Sequence, residues 1–307
     1  MKTKYFAQLV ALSALWGASF LFIRMASPVF GPNVLALLRV GMATATLALL
    51  MRAMRQPWAW QHWRTLAIIG ALSVAAPFLL FAWAGLQLPA GYSAILNATT
   101  PLMGVVIGAL AFGERITPAL AGGVLLGMAG VAVLAQAGPV ALTAPVLGGI
   151  AACLVATACY GLAGFLTRRW ITQRDGLDSR LVALGSQWGA VLALAPFALW
   201  EAAHQPVATW LQAGPTVWGA MLALGLLCTS FAYVLYFRLI ADVGPVKALT
   251  VTFLIPLFGV AWGWLVLGEV ATLAHAAGGV LIALALWLVL RPAAVPAPAP
   301  TPSAAGR

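Results

Sequence analysis

Two stretches of this chain repeat each other 155 residues apart, and both lie inside long apolar runs. Residues 101–114 read PLMGVVIGALAFGE, residues 256–269 read PLFGVAWGWLVLGE, and eight of the fourteen positions are identical. Because the repeated unit is apolar almost throughout, we interpret it as a repeat of membrane helices and not as a solenoid motif. Two related halves within a membrane are typical of transporters.

A second correspondence supports two related halves. Trp16, followed by Arg24, has its counterpart in Tyr160, followed by Arg168, and a glycine comes directly after each ring. The sequence therefore predicts three parts, which are a first five-helix repeat at residues 1–140, a second at 141–291, and a disordered Pro/Ala-rich tail at 292–307. The tail has too little apolar surface to form a packed structure.

The composition agrees with a membrane protein, because 63% of the residues are apolar and only 7% are charged. A soluble domain of this length would need far more polar surface. A span needs about 20 apolar residues. Ten runs approach that length, at 5–24, 32–51, 65–87, 91–112, 118–136, 144–166, 181–200, 216–238, 247–267 and 274–290. The predicted fold class is therefore all-α integral membrane, with ten transmembrane helices as two inverted five-helix repeats.

The inversion follows from the number of spans in each half. Five is an odd number, so the second half enters the membrane from the opposite face. Glu114 then closes the fourth helix on the cytoplasmic side, and Glu269 closes the ninth on the outer side. Both carboxylates lie at hydrated helix ends, which favours a structural capping role over proton transfer. An inverted repeat gives one structure two similar states, each open to one side, as alternating access requires.

The net charge of +10 reflects membrane topology and not nucleic-acid binding. With a cytoplasmic N-terminus, fourteen of the sixteen Lys and Arg residues fall on the cytoplasmic side, Arg24 falls outside, and Arg39 lies within a span. This positive-inside asymmetry predicts a multi-pass protein of the bacterial cytoplasmic membrane with both termini in the cytoplasm. The expected partners are the lipid bilayer and a small-molecule solute, with no nucleic acid, and the chain is expected to be a monomer or weak homodimer.

These motifs resemble a known family. The predicted layout has five plus five helices, with WGASFLFIR in the first helix, LLR in the second, and P-x-x-G-x-x-x-G-x-x-x-x-G-E in the fourth and ninth. These features resemble the drug/metabolite transporter superfamily, in particular its EamA branch of bacterial metabolite exporters. The resemblance implies a cavity lined by helices one to four and six to nine, with helices five and ten at the periphery. Small multidrug transporters of that superfamily exchange protons through a carboxylate in the first helix. This chain has none there, so we expect facilitated transport or coupling by another route.

Arg39 is the one charge well inside a predicted span, where a charge costs at least ~2.5 kcal/mol. One interpretation is a cation that binds a substrate carboxylate or phosphate through two hydrogen bonds. The other is a structural arginine that ties the second helix to a neighbour or extends to the interface. The sequence leaves both open. The counterpart of Arg39 in the second half is near the neutral Gln187.

The remaining binding candidates are aromatic and neutral polar side chains in the predicted spans, a mixture that suits a small amphipathic solute. Together with Arg39, the predicted binding set is Trp16, Phe78, Phe81, Trp83, Asn97, Thr100, Tyr160, Gln187, Tyr233, Tyr236 and Thr252. Phe81 matches Tyr236, and Asn97 matches Thr252, under the 155-residue offset. For any single ring, packing against lipid or other helices is the alternative interpretation.

Prolines and glycines at matching positions predict hinges and close packing. A proline inside a helix removes a hydrogen bond and kinks the helix, and small residues four positions apart let another helix approach. The predicted hinge and packing residues are Pro101, Gly104, Gly108, Pro256, Gly259 and Gly263.

We therefore expect an inner-membrane solute transporter that works by alternating access and exports amino acids or related small amphipathic metabolites. The direction of transport rests on the family resemblance alone. The alternatives are a multidrug or cation efflux transporter of the same superfamily and, from a different class, an integral-membrane enzyme. The enzyme is disfavoured because the sequence contains no nucleophile–base set and no cluster of His and carboxylate ligands. No catalytic residue, cofactor or metal site is predicted.

Overall fold

The computed structural model describes residues 3–56, 58, 60–113, 118–137, 141–174, 177–243 and 251–290, and every regular element in these ranges is helical. In chain order the helices are α1 (Thr3–Phe30), α2 (Pro32–Ala53), α3 (Trp60–Gln87), α4 (Ala90–Asn97), α5 (Thr100–Phe112), α6 (Pro118–Ala137), α7 (Ala144–Ile171), α8 (Ser179–His204), α9 (Val207–Leu211), α10 (Pro215–Tyr236, continuing to Val243), α11 (Val251–Leu267) and α12 (Leu273–Leu290). Among the predicted features, Glu114 and the tail at 292–307 lie outside the described residues, and Thr252 is described only in its backbone.

Six of these helices, α1, α2, α3, α7, α8 and α10, are long and apolar enough to cross a membrane. The bent pair α4 and α5, whose axes differ by 40°, makes a seventh span if it is counted as one. Shorter apolar stretches of 10 to 17 residues lie in α6, α11 and α12. The prediction of an all-helical membrane protein is confirmed at this level. The arrangement as ten spans in two inverted repeats stays a prediction.

The first helix is longer than the sequence pattern indicates. Helix α1 runs to Phe30, beyond the predicted end at residue 24, and Pro28 is accommodated within its last turn. Arg24 therefore lies inside the helix, where its Nη1 donates a hydrogen bond to the Gly85 oxygen of α3 at 2.8 Å. The first span was predicted to end at Arg24, whereas the helix continues beyond it, and the placement of Arg24 on the outer side of the membrane stays a prediction. A charge ends an apolar run in the sequence but does not end a helix when it has a partner to bond.

Close helix crossings are made at glycines that correspond between the two halves. A Cβ added at Gly17 of α1 would lie 2.9 Å from the Gly259 nitrogen of α11. A Cβ added at Gly161 of α7 would likewise lie 2.9 Å from the Gly104 nitrogen of α5. Only glycine permits so close an approach of two backbones. Each of these crossings joins a helix of one half to a helix of the other.

The two matched prolines behave differently. The helix is interrupted at Ala98 and Thr99, between α4 and α5. Helix α5 begins at Thr100, with Pro101 in its first turn. Pro256 lies inside α11, which continues without a break. The helical path is therefore interrupted near the first proline, whereas the helix continues through the second. Helices α6 and α12 pack mainly against each other, beside the bundle formed by the remaining spans.

Candidate functional site

A cavity of about 390 Å³ lies between helices of both halves. This volume falls within the range of small-molecule binding sites. The cavity brings together nine of the twelve predicted binding residues, namely Trp16, Arg39, Phe78, Phe81, Asn97, Thr100, Tyr160, Tyr233 and Tyr236. They come from α1, α2, α3, α4, α5, α7 and α10, so residues distant in sequence converge on one space.

Three predicted residues do not contribute a described side chain to this cavity. Trp83 is 38% exposed and its ring lies against Gly148. Phe81 and Trp83 are two positions apart, which is about 200° around a helix, so one faces the cavity and the other faces away. Gln187 is 1% exposed in α8, and its Oε1 has no hydrogen-bond partner among the described residues. The side chain of Thr252 lies outside the described part of the chain.

Four lining residues were not predicted from the sequence. Ser19, Phe20 and Ile23 of α1 and Ile255 of α11 also line the cavity. The three residues of α1 follow Trp16 at intervals of three, four and seven, which is the spacing of one helix face. That spacing is a signal from which these three residues could have been predicted once Trp16 was placed in the cavity.

Arg39 is held in a defined orientation at the cavity wall. Its Nε donates a hydrogen bond to the Thr229 Oγ1 of α10 at 2.8 Å, and its guanidinium carbon lies 3.8 Å from the centroid of the Phe78 ring. The residue is only 6% exposed. In the described part of the chain, no carboxylate oxygen comes within 4.0 Å of the guanidinium, and its two terminal nitrogens have no hydrogen-bond partner. Among the described residues, the positive charge at the cavity wall therefore has no counter-ion.

The partner of Arg39 is positioned by an unusual helical segment. Residues Ala223–Phe231 of α10 form a π-helical stretch of nine residues. Within it the Thr229 hydroxyl donates to the Leu224 oxygen at 2.8 Å, five residues earlier. Because the hydroxyl hydrogen is used in this bond, a lone pair of Oγ1 remains to accept from Arg39. Such π-helical insertions often occur at functional sites.

Helix α3 contains a shorter π-helical stretch, Ala71–Ala75, at the position that corresponds to the one in α10 under the 155-residue offset. In both helices the cavity rings follow the stretch. These are Phe78 and Phe81 in α3, and Tyr233 and Tyr236 in α10. A π-helical turn rotates the residues after it relative to those before it. The insertion thus helps to set which side of each helix presents its rings.

The apolar wall of the cavity is a group of mutually contacting rings. Trp16 lies 5.2 Å from Tyr236 and 6.5 Å from Tyr233, measured between ring centroids. Phe81 lies 6.5 Å from Tyr160 in a stacked arrangement. Such ring contacts stabilise the packing by more than the burial of apolar area alone. The cavity therefore combines one cation, a ring cluster and a few hydroxyl and amide groups.

Two glutamates of the second half cap helices of the first half. The Glu201 Oε2 accepts hydrogen bonds from the backbone nitrogens of Asn33 and Val34, at 2.9 and 3.0 Å, at the start of α2. The Glu269 Oε1 accepts from the Ala90 nitrogen at the start of α4, at 2.9 Å. A carboxylate at this position satisfies donors that have no partner within the helix and faces the positive end of the helix dipole. A structural role for Glu269 is predicted from the sequence, whereas Glu201 is not among the predicted residues.

Comparison with known proteins agrees with the architecture. Residues 4–136 and 147–291 each match the EamA-like transporter family. The chain belongs to this family. The resemblance predicted from the sequence motifs is thereby confirmed, and this EamA-family protein is a membrane transporter of the drug/metabolite transporter superfamily.

Individual relatives match this EamA-family transporter over nearly its whole length. A protein of Streptantibioticus cattleyicolor, named "Probable terminal-alkyne amino-acid exporter", is 27% identical over 285 residues, which is 92% of each chain. An "Uncharacterized transporter" of Archaeoglobus fulgidus is 24% identical and covers 94% of this chain and 98% of its own. A solved crystal structure covers 92% of this chain and 96% of its own with a TM-score of 0.58. At 21% identity, that likeness shows the fold alone.

Proposed function

We propose that this transporter exports amino acids, or related small amphipathic carboxylates, across the bacterial cytoplasmic membrane by alternating access. The observation that carries the proposal is Arg39, a buried cation whose terminal nitrogens have no partner among the described residues. A guanidinium binds a carboxylate through two parallel hydrogen bonds. A substrate carboxylate would supply the counter-charge that the described lining of the cavity does not provide.

The rest of the cavity suits the other parts of such a substrate. The rings of Trp16, Phe81 and Tyr236 offer an apolar surface to an aliphatic or aromatic side chain. The same ring faces attract an ammonium group, and the side chains of Asn97 and Thr100 supply neutral polar atoms. One relative is named a probable exporter of terminal-alkyne amino acids, which supports the same substrate class.

The charge in the cavity argues against the main alternative, a multidrug or cation efflux transporter. None of the described residues that line the cavity is Asp or Glu. An amine without a carboxylate would meet the positive charge of Arg39 with no acidic side chain to offset it, and like charges at short range repel strongly in a low dielectric. We accordingly infer that a carboxylate is required for transport.

We also propose that the chain forms ten spans in two inverted repeats, at 1–140 and 141–291. The equivalent glycine crossings support this, since Gly17 meets Gly259 and Gly161 meets Gly104. In such an arrangement, Glu201 and Glu269 join the two halves on the same membrane face. Opening the transporter to that face would require the two glutamates to separate from the helix ends that they cap. These hydrogen bonds would therefore belong to the state that is closed on that face.

The substrate proposal is tested by counterflow in proteoliposomes. Leucine, its decarboxylated form isoamylamine and its deaminated form 4-methylpentanoate share one side chain. Leucine has both an ammonium and a carboxylate group, isoamylamine has only the ammonium, and 4-methylpentanoate has only the carboxylate. We expect leucine to exchange, 4-methylpentanoate to compete with it, and isoamylamine to bind measurably but to exchange far more slowly than leucine. A pH gradient should not change the initial rate. Exchange of isoamylamine as fast as leucine would overturn the proposal and favour cation efflux.

The proposed orientation is tested with three separate fusion proteins, each with a topology reporter at a different position. Fusions after Ala137 and after His204 should report the outer side, and a fusion after Gln173 should report the cytoplasm. A cytoplasmic signal from the first of these positions would contradict the ten-span arrangement with two cytoplasmic termini.

A further inference from the structure

Four tryptophans line a groove of about 240 Å³ between α3 and α8, separate from the central cavity. They are Trp58, Trp60, Trp63 and Trp188. The first two stack with their ring centroids 5.3 Å apart and an angle of 16° between the ring planes. Trp60 and Trp63 are 62% and 52% exposed. The groove is therefore open on the outer surface of the bundle, where a span faces lipid.

The groove runs from the ends of two candidate spans toward their middle. On α3 it extends from Trp60 to Ala67, and on α8 from Leu181 to Leu192. The stretch on α8 rises about 17 Å along the helix axis, which is roughly half of the ~30 Å hydrocarbon core. Tryptophans are enriched where the hydrocarbon meets the headgroups. The groove therefore has the depth of an acyl chain in one leaflet, with its tryptophan-rich end at the interface.

Two arginines stand at that interfacial end. Arg64 follows Trp63, and its guanidinium carbon lies 5.5 Å from a ring centroid of that tryptophan. Arg180 directly precedes Leu181, the first groove-lining residue of α8, and its Nη1 contacts the Met54 sulfur at 3.7 Å. The carboxylate nearest to Arg180 among the described residues is Asp178, 3.9 Å away in an exposed pair that contributes little. The rim of the groove thus carries net positive charge.

We propose that this groove binds a phospholipid with an anionic headgroup. One acyl chain lies along the tryptophan-lined groove, and the phosphate is held by Arg64 and Arg180. Basic sites between membrane helices bind anionic headgroups, and arginine binds phosphate oxygens through several donors. A second copy of this chain is a poorer occupant, since a two-fold contact would place like-charged rims against each other. The site is independent of the solute that the transporter carries.

The test compares phosphatidylglycerol with phosphatidylcholine of identical acyl chains, added to the full-length protein in detergent. Lipid retained in native mass spectrometry and the midpoint of thermal unfolding are measured. We expect retention of phosphatidylglycerol to exceed that of phosphatidylcholine by roughly tenfold or more, given the attraction of two arginines for an anionic lipid. The double variant R64Q/R180Q should lose this preference. The matched double variant K4Q/R169Q removes the same charge elsewhere and should keep it.

A second variant tests the acyl chain and does not alter the charges. Leu192 is 51% exposed in the groove, so L192W fills the groove without disturbing the core. We expect it to lower phosphatidylglycerol retention, while glycerol 3-phosphate in excess should not displace the lipid from the wild type. Equal retention of the two lipids, an unchanged preference in R64Q/R180Q, an equal loss in K4Q/R169Q, or displacement by glycerol 3-phosphate would each overturn the proposal.

Discussion

Replacing Arg39 separates a substrate-binding arginine from a structural one. Arg39→Gln removes the charge and leaves a single amide donor group. Arg39→Lys keeps the charge but loses the planar pair of donors and the geometry of the bond to Thr229. If the terminal nitrogens hold a carboxylate, both substitutions should weaken leucine binding and spare isoamylamine, which has no carboxylate.

The size of the effect follows from the contacts that are lost. A hydrogen bond to a charged group is worth about 1.5–3 kcal/mol, and each 1.4 kcal/mol is about a tenfold change in affinity. We expect a loss of roughly tenfold for Arg39→Lys and roughly hundredfold for Arg39→Gln with leucine. Isoamylamine should bind no more weakly, because the repelling cation is gone or unchanged.

Protein stability should respond little to Arg39→Gln. Removing a charge from within a span relieves a cost of at least ~2.5 kcal/mol. Against this, the Thr229 hydroxyl loses one bond, worth about 1–3 kcal/mol, although it still donates to Leu224. These effects offset each other, so the midpoint of thermal unfolding should move by only a few degrees.

Equilibrium binding of both ligands and thermal unfolding in detergent are measured side by side for each variant. Arg24→Gln is the matched control, since Arg24 also lies in a span but bonds the Gly85 oxygen. The control should lower stability without changing the ratio of the two affinities. Equal losses of leucine and isoamylamine in Arg39→Gln, together with a marked drop in unfolding temperature, would refute a role for Arg39 in carboxylate binding.

Three further predictions concern the groups around this site. Thr229→Val should weaken leucine binding about tenfold through loss of the bond to Arg39, with Thr229→Ser close to wild type and isoamylamine binding unchanged in calorimetry. Glu201→Gln and Glu269→Gln together should lower the free energy of unfolding by about 1–3 kcal/mol through weakened helix caps and leave the pH dependence of counterflow unaltered. Normal stability with abolished transport would contradict the capping role. Gln187→Leu should raise the unfolding temperature, because its buried amide oxygen has no partner among the described residues and such an oxygen costs about 1–3 kcal/mol, and leucine affinity should stay the same.

Much of this protein follows from its sequence because the relevant signals are local. Long apolar runs separated by short polar segments predict helices, since a chain in hydrocarbon must satisfy its backbone groups within each helix. The repeated motif ending in Glu114 and Glu269 predicts the family. Depth along a span can be read directly from residue position, which is why Arg39 and most of the cavity rings were identified.

The tertiary structure decided which side of each helix faces the cavity. A helix that is apolar on all sides has no polar face to show its rotation, so Trp83 and Phe81 looked equally suitable in the sequence. The π-helical stretch Ala223–Phe231 further shifts the register of α10, and it has no sequence pattern of its own. Pairings across distant helices, such as Arg39 with Thr229, depend on packing between whole helices and not on any local spacing.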